Sequence, residues 1–271
     1  MKRLGKDPSL SSIAKRACEA NDSRPDVKKS VVAPPMKNTA LAQNEKSFTK
    51  NQKFFANNES YKRQQNELEL YRLMKMSATH ETSGARRLLD IGNGGIFLFP
   101  IDHISEVEAI DIFVEKDFKI RYPRVKWKQM SALDMHFDRP FDTVIAINTL
   151  HHIIGDTVSA TYANLDKVMI QIGKVLEPNG KFVLLESTVP MWFLAPYKLI
   201  FQLLIRIWPL HHPPTFQFHF RDILAAAKMA GFDLQEFCWI PKTSDLLTMG
   251  FRVKPWMTPI QVGKFIFVKQ F

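Results

Sequence analysis

The sequence predicts an α/β fold, a mostly parallel sheet with helices on both faces. Three observations carry that expectation. Short apolar runs alternate with segments long enough to be crossover helices. One of those runs empties into a glycine turn, and the next ends on an acidic residue.

Taken in order, Met1 to about Gln43 is rich in Lys, Ser, Pro, Asn and Asp and shows no sustained apolar period, so it is read as a disordered basic tail. Of the formal net charge of +10, residues 1–80 hold +8 and the remainder +2. The body is close to neutral, which weakens a nucleic-acid reading of it. Residues 44–80 form a helical lead-in, with Leu68, Tyr71, Leu73 and Met74 on one face. Residues 81–271 form the main domain. Its strand-like runs are Arg87–Ile91, Glu108–Ile112, Val125–Gln129, Thr143–Ile147 and Lys181–Leu185. Tyr162–Leu176 is a crossover helix, and Pro178-Asn179-Gly180 breaks helix to strand. Arg221–Ala230 is a helix stopped by Gly231, and Leu234–Ile240 and Lys264–Lys269 are strands joined by a loop, which predicts antiparallel pairing at the sheet edge.

Several classes are disfavoured. The cysteines, Cys18 and Cys238, form no CxxC. Met1–Arg16 lacks the apolar segment of a secretory signal, and the acids Asp7, Glu19 and Asp22 oppose a mitochondrial presequence. The expected location is cytoplasmic, peripheral at a membrane if the apolar insertion described below rests on lipid. His211-His212 has neither cysteine nor a spaced carboxylate beside it and makes a poor ligand set, and His219 is uninformative, so no metal is expected.

The strongest local signal is Leu88-Leu89-Asp90-Ile91-Gly92-Asn93-Gly94-Gly95. Glycine lets a ligand approach bare backbone and lets the chain take positive φ. Asp111, 21 residues after Asp90, ends the second run, where an acid can accept both hydroxyls of a ribose. A nicotinamide site would want a third glycine at 97, which is Phe.

These motifs resemble those of the class I S-adenosylmethionine-dependent methyltransferases, in particular the branch acting on small molecules and lipids, over roughly residues 50–271. Asp90-Ile91-Gly92-Asn93-Gly94 is similar to the family's acid-x-Gly-x-Gly turn and Asp111 to its ribose-binding acid. Met130-Ser131-Ala132 falls where the family often has Gly-Asp-Ala beside adenine. Phe141–Ile145 followed by Asn148-Thr149-Leu150-His151-His152 resembles its fourth-strand motif, and Leu176–Lys181 the turn before strand five. The resemblance implies a Rossmann-like seven-stranded sheet, S-adenosylmethionine as cofactor, and cofactor contacts at Asp90, Gly92, Gly94, Asp111, Ile112, Ser131, Ala132 and Asn148. The sequence departs from the pattern at Ile96 (for glycine), Ser131 (for aspartate) and Pro100, which interrupts the expected helix.

Methyl transfer asks the protein mainly to align donor and acceptor, with a base only where the acceptor must lose a proton. His152, after strand four, is the first candidate base, and His151 is expected to point elsewhere. Glu186, ending strand five, is a candidate to orient or deprotonate the acceptor, with capping an equal alternative. No Asn/Asp-Pro-Pro-aromatic motif follows strand four, which disfavours an amino-group methylator of adenine or glutamine, and no cysteine lies near strands four or five, which leaves a covalent cytosine mechanism without its nucleophile. Residues 191–215 form a hydrophobic insertion whose only strongly polar residues up to 210, Lys198, Gln202 and Arg206, fall on one helical stripe. A lid over an apolar acceptor, a membrane-interface helix with Lys198 and Arg206 toward headgroups, and a core or dimer helix are all consistent with it. The expected function is methyl transfer to oxygen or carbon of a small, apolar or lipid-like acceptor; the rivals are a non-catalytic binding protein of the same fold and an RNA methyltransferase guided by the tail.

Overall fold

The computed structural model describes residues 69–207, 215–240, 246–248, 251–253 and 259–270. The expected tail, most of the lead-in and His211-His212 lie outside them. The elements are α1 (Glu69–Thr82), β1 (Arg87–Ile91), β2 (Glu106–Asp111), α2 (Lys116–Arg121), β3 (Lys126–Gln129), β4 (Phe141–Ile147), a 3-10 turn (Leu150–His152), α3 (Val158–Val175), β5 (Leu176–Thr188), α4 (Met191–Ile207), α5 (Phe220–Met229), β6 (Phe232–Ile240), β7 (Leu246–Thr248), β8 (Phe251–Val253) and β9 (Gln261–Lys269).

Seven strands form one sheet in the order β3-β2-β1-β4-β5-β9-β6, and β7 and β8 pair separately as an antiparallel ribbon. The strands from β3 through β5 run parallel. The antiparallel strand is β9, which pairs with β5 on one side and β6 on the other. It therefore lies one place in from the edge, and β6 is outermost.

Side chains alternate across a strand, and the central strands supply both cores by that rule. Leu89 and Ile91 of β1, Val144 and Ala146 of β4, and Phe182 and Leu184 of β5 pack with Leu165, Met169 and Ile172 of α3. Leu88, Ile145, Val183 and Leu185 face the other way, onto Met74 and Ala78 of α1 and Phe118 of α2. Strands buried on both faces read as continuous apolar runs, which is why these were visible in the sequence. Thr157 caps α3, its hydroxyl accepting the Ala160 N–H at 3.1 Å. Gly231, at φ +83°, follows the end of α5.

Two features adapt this frame. Residues 92–105 contain no helix, so β1 connects to β2 by loop, as Pro100 predicts. Between Leu176 and Lys181 the chain inserts a turn with Asn179 at φ +62°, and the β4–β5 register shifts there. α1 is clamped to the sheet by Lys264 of β9, whose ammonium lies 2.8 Å from the Glu81 carboxylate and 3.0 Å from that of Glu236.

The sheet order reverses between β1 and β4, both of which start there and lead in opposite directions. In open α/β sheets such a switch leaves a crevice at the carboxyl ends of the strands.

Candidate functional site

The carboxyl ends of β1, β2, β4 and β5 bring the predicted residues together. Beyond β1 the backbone turns back through Gly92, Gly94 and Gly95, at φ +69°, +62° and +81°. Gly92 donates its N–H to Ile110 of β2 at 2.8 Å. A Cβ at Gly92 would lie 2.3 Å from the Thr149 side chain, and one at Gly95 2.2 Å from the Phe118 ring. A Cβ at Gly94 would meet nothing within 4 Å, so this is the glycine that opens onto free space. Gly95 was not among the predicted contacts. Its signal was its place beside Gly94, and its role is to let Phe118 under the bend.

Asp111 points into that bend. Its Oδ2 accepts the Gly94 N–H at 3.0 Å and its Oδ1 the Phe113 N–H at 2.9 Å. A carboxylate has about four lone-pair sites, so capacity remains for a further donor. Burial raises the Asp111 pKa, against the pull of the Phe113, Gly94 and Ile112 amides. Asp90 is almost entirely buried, and that burial pushes its pKa up to about 7; the Asn93 amide, 2.6 Å away, works against the rise and the Asp111 charge adds to it. Beside them Ile112 is 43% exposed, and Ser131 is also exposed, its hydroxyl accepting the Leu133 N–H. Ala132 is half-buried in the same stretch, tied to β2 by Met130 N–H to Asp111 O at 2.9 Å.

The other wall is the turn after β4. Asn148 takes φ +51°, a strained value for a residue with a Cβ. Its N–H binds Leu185 O at 2.8 Å. The Thr149 hydroxyl lies 2.9 Å from Ile91 O and 3.1 Å from Ile147 O, bridging the ends of β1 and β4. Thr149 was not predicted. Nothing in a single buried threonine marks it before the strands are paired. The side-chain oxygens of Asn93 and Asn148 are buried and have no hydrogen-bond partner. Buried orphan acceptors are rare, and two of them, one on each of the facing turns after β1 and β4, fit a ligand that brings donors.

Glu186 is fully buried at the end of β5. Its Oε2 accepts the N–H groups of Thr149 (3.0 Å) and Leu150 (2.6 Å). Its Oε1 accepts the Ser187 N–H at 2.8 Å and lies 2.6 Å from His151 Nδ1. Both oxygens are occupied, so this carboxylate holds the turn and the imidazole and does not itself face an acceptor. His151 is thereby tied to the end of β5. His152 lies against it, ring centroids 4.2 Å apart. His219 is buried and caps α5, its ring accepting the Arg221 N–H at 3.3 Å. Among the described residues no cluster of three potential metal ligands occurs.

After β5 the chain enters α4. Tyr197 and Phe201 turn inward onto Phe216, while Met191, Trp192, Leu199 and Ile200 are exposed. Lys198 does not face outward as expected for a headgroup contact: its ammonium sits 4.7 Å over the Tyr162 ring of α3. The side chains of Gln202 and Arg206 lie outside the described residues.

An open glycine bend, an acid aimed into it and two orphan amide oxygens suit a nucleoside carrying an ammonium group. Residues 89–184 match the family model of a methyltransferase domain. Solved structures agree on the fold. The 1,6-didemethyltoxoflavin-N1-methyltransferase of Burkholderia thailandensis, crystallised with 1,6-didemethyltoxoflavin and S-adenosylhomocysteine, superimposes with a TM-score of 0.56 at 15% identity, over 92% of this chain and all of its own. The N-methyltransferase NodS of Bradyrhizobium japonicum, in complex with S-adenosylhomocysteine, gives 0.54 at 11% identity over 82% of this chain and 98% of its own. A geranyl diphosphate methyltransferase in complex with S-adenosylmethionine gives 0.53 at 14% identity, over 75% and 88%. No curated protein sequence matches the chain. Over residues 89–184 the chain is thus similar to a methyltransferase domain, and neighbours of the same fold hold S-adenosylmethionine or S-adenosylhomocysteine.

The residues present fit that cofactor. Asp111 would accept a ribose hydroxyl, Gly92 and Gly94 would let the cofactor approach the backbone, and Ile112, Ser131 and Ala132 would flank adenine. Asn93 and Asn148 would accept from the ammonium.

Proposed function

We propose that the protein transfers the methyl group of S-adenosylmethionine to a small, apolar or lipid-like acceptor, on oxygen first and carbon second. When bound, the cofactor supplies a methyl group already activated on a sulfonium. The chain's own residues hold it in line with the acceptor and exclude water.

The observation that carries the acceptor class is α4. It starts three residues after β5 ends, beside the proposed methyl end of the site. Its inner face joins a wall of aromatic rings, Tyr197, Phe201, Phe216 and Phe218, with Tyr162 behind them. Its outer face leaves Trp192 58% and Leu199 72% exposed. An apolar molecule can be received beside such a helix at little desolvation cost. The same exposed residues would rest on a membrane interface, consistent with a cytoplasmic protein peripheral to lipid. No helix among the described residues is long and apolar enough to cross a membrane.

The test incubates the purified chain with methyl-labelled cofactor and fractionated cell extract. Label in the lipid fraction is expected. Label only in RNA would replace this reading with the tail-guided one. No label, together with no calorimetric heat on adding millimolar cofactor, would leave a non-catalytic protein of the same fold.

A further inference from the structure

We propose that His151 is the general base of this methyl transfer, taking the proton of an acceptor that carries it on oxygen. The inference rests on the transfer function proposed above and deepens it by assigning the base and restricting the acceptor.

The geometry sets the tautomer. Three backbone N–H groups, of Thr149, Leu150 and Ser187, converge on the Glu186 carboxyl. Backbone N–H groups only donate, so both Glu186 oxygens serve as acceptors. An ionised carboxylate only accepts, so the 2.6 Å contact requires His151 Nδ1 to donate. In the neutral ring the lone pair is then on Nε2. That nitrogen has no hydrogen-bond partner among the described residues, and the side chain keeps 12% of its surface exposed. A carboxylate that fixes the tautomer and orientation of an imidazole whose other nitrogen is free is the arrangement by which histidine bases are held elsewhere.

Position agrees. His151 stands three residues beyond Asn148, between the ends of β4 and β5, and its carbonyl accepts the Phe216 N–H at 2.8 Å. The backbone of His151 is therefore fixed to the aromatic wall beneath α4, and its ring to the end of β5. Ser187 Oγ, 3.3 Å from Nδ1 and 3.2 Å from Glu186 Oε1, adds a further tie to the buried side of the ring. Glu186 acts only through His151 and the turn; it is a positioning residue.

In the step itself, Nε2 takes the acceptor's proton while the freed lone pair on oxygen forms a bond to the methyl carbon. The carbon–sulfur bond breaks and its electron pair remains on sulfur. The products are the methylated acceptor, S-adenosylhomocysteine and an imidazolium, which returns its proton to water.

The test uses the full chain with saturating S-adenosylhomocysteine. Nitrogen-15 histidine spectra should show His151 as the Nδ1–H tautomer, and diethyl pyrocarbonate should modify it at Nε2, as located by peptide mass mapping. With labelled S-adenosylmethionine and 4-nonylphenol, an apolar probe with one ionisable hydroxyl, His151→Gln should lose about 10²-fold or more of the methylation rate. The exposed-site control His136→Gln should keep it. Calorimetric S-adenosylhomocysteine affinity should be unchanged in His151→Gln. An Nε2–H tautomer, a His151 closed to diethyl pyrocarbonate, or full methylation by His151→Gln would overturn the assignment. So would loss confined to His152→Gln. If the native protein leaves nonylphenol untouched, the tautomer and modification results decide. Failure of the native protein to bind S-adenosylhomocysteine would instead remove the transfer function on which the proposal stands.

Discussion

Asp90 makes the protein's stability depend on pH in an unusual direction. The residue is 3% exposed, and its pKa rises from the ordinary 3.8 to about 7, first through burial and then through the Asp111 charge, with the Asn93 amide opposing. Below pH 4 the carboxyl is protonated in both the folded and the unfolded chain and costs nothing. Between about 4 and 7 the unfolded chain gives up this proton and the folded one keeps it, so folding loses free energy as pH rises. Above about 7 the folded carboxyl ionises and the loss is complete. At about 1.36 kcal/mol for each pH unit, the full span is about 4 kcal/mol. Asp90→Asn keeps an acceptor for the Asn93 amide and removes the titration. Urea melts of both proteins at pH 4.5, 6 and 7.5 should show the variant gaining on the native protein with each step, by about 4 kcal/mol in all at most. A stability difference that stays constant across the three pH values would refute the account of a buried, proton-holding Asp90.

Other perturbations separate the parts of the site. Asp111→Ala removes the acceptor for a ribose hydroxyl; at about 1.5 kcal/mol for the charge-assisted bond, cofactor affinity should fall about tenfold by calorimetry. Gly92→Ala adds a Cβ 2.3 Å from Thr149 at φ +69°, whereas Gly94→Ala adds one with open space at φ +62°. Urea melts should find Gly92→Ala the less stable by about 2 kcal/mol, with Gly94→Ala losing cofactor affinity instead. Glu186→Ala strands the buried N–H groups of Thr149 and Leu150 and should cost about 3 kcal/mol in the same melts. Leu199→Ser, on an exposed position, should leave stability within about 0.5 kcal/mol while lowering label transfer to the lipid fraction.

The fold was legible where side-chain period was enough. Leu88-Leu89 and Val183-Leu184-Leu185 are buried on alternate faces, and continuous apolar runs of that kind mark strands covered on both sides. The glycine turn and Asp111 were legible because both ends of the contact have a fixed spacing along two consecutive strands, β1 and β2. The placement of β9 between β5 and β6 was not, because the residues joining β6 to β9 say nothing about which partner the returning strand takes. Within the site, the contacts missed are those between distant segments. Thr149 meets Ile91, 58 residues earlier, and His151 meets Glu186, 35 residues later. No local pattern encodes either pair. Of the neighbouring histidines the sequence favoured His152, whereas it is His151 that the Glu186 carboxylate holds.

These long-range contacts explain why the site survives its departures from the usual pattern. The glycine replaced by Ile96 and the helix lost at Pro100 would ordinarily stiffen the bend from its far side. Here the bend is braced across the sheet instead. Gly92 is tied to β2 through Ile110, Thr149 packs against Gly92 while bridging β1 and β4, and Glu186 of β5 holds Thr149 by its N–H. Four strand ends thus share one connected set of contacts. The strained Asn148 sits directly before Thr149 in that set, with its carbonyl-type oxygen buried and unsatisfied. A strained residue persists where its surroundings over-determine it, and those surroundings are the brace. Breaking the brace at Glu186 should therefore relax Asn148 and weaken cofactor binding even though Glu186 touches no part of the proposed cofactor position.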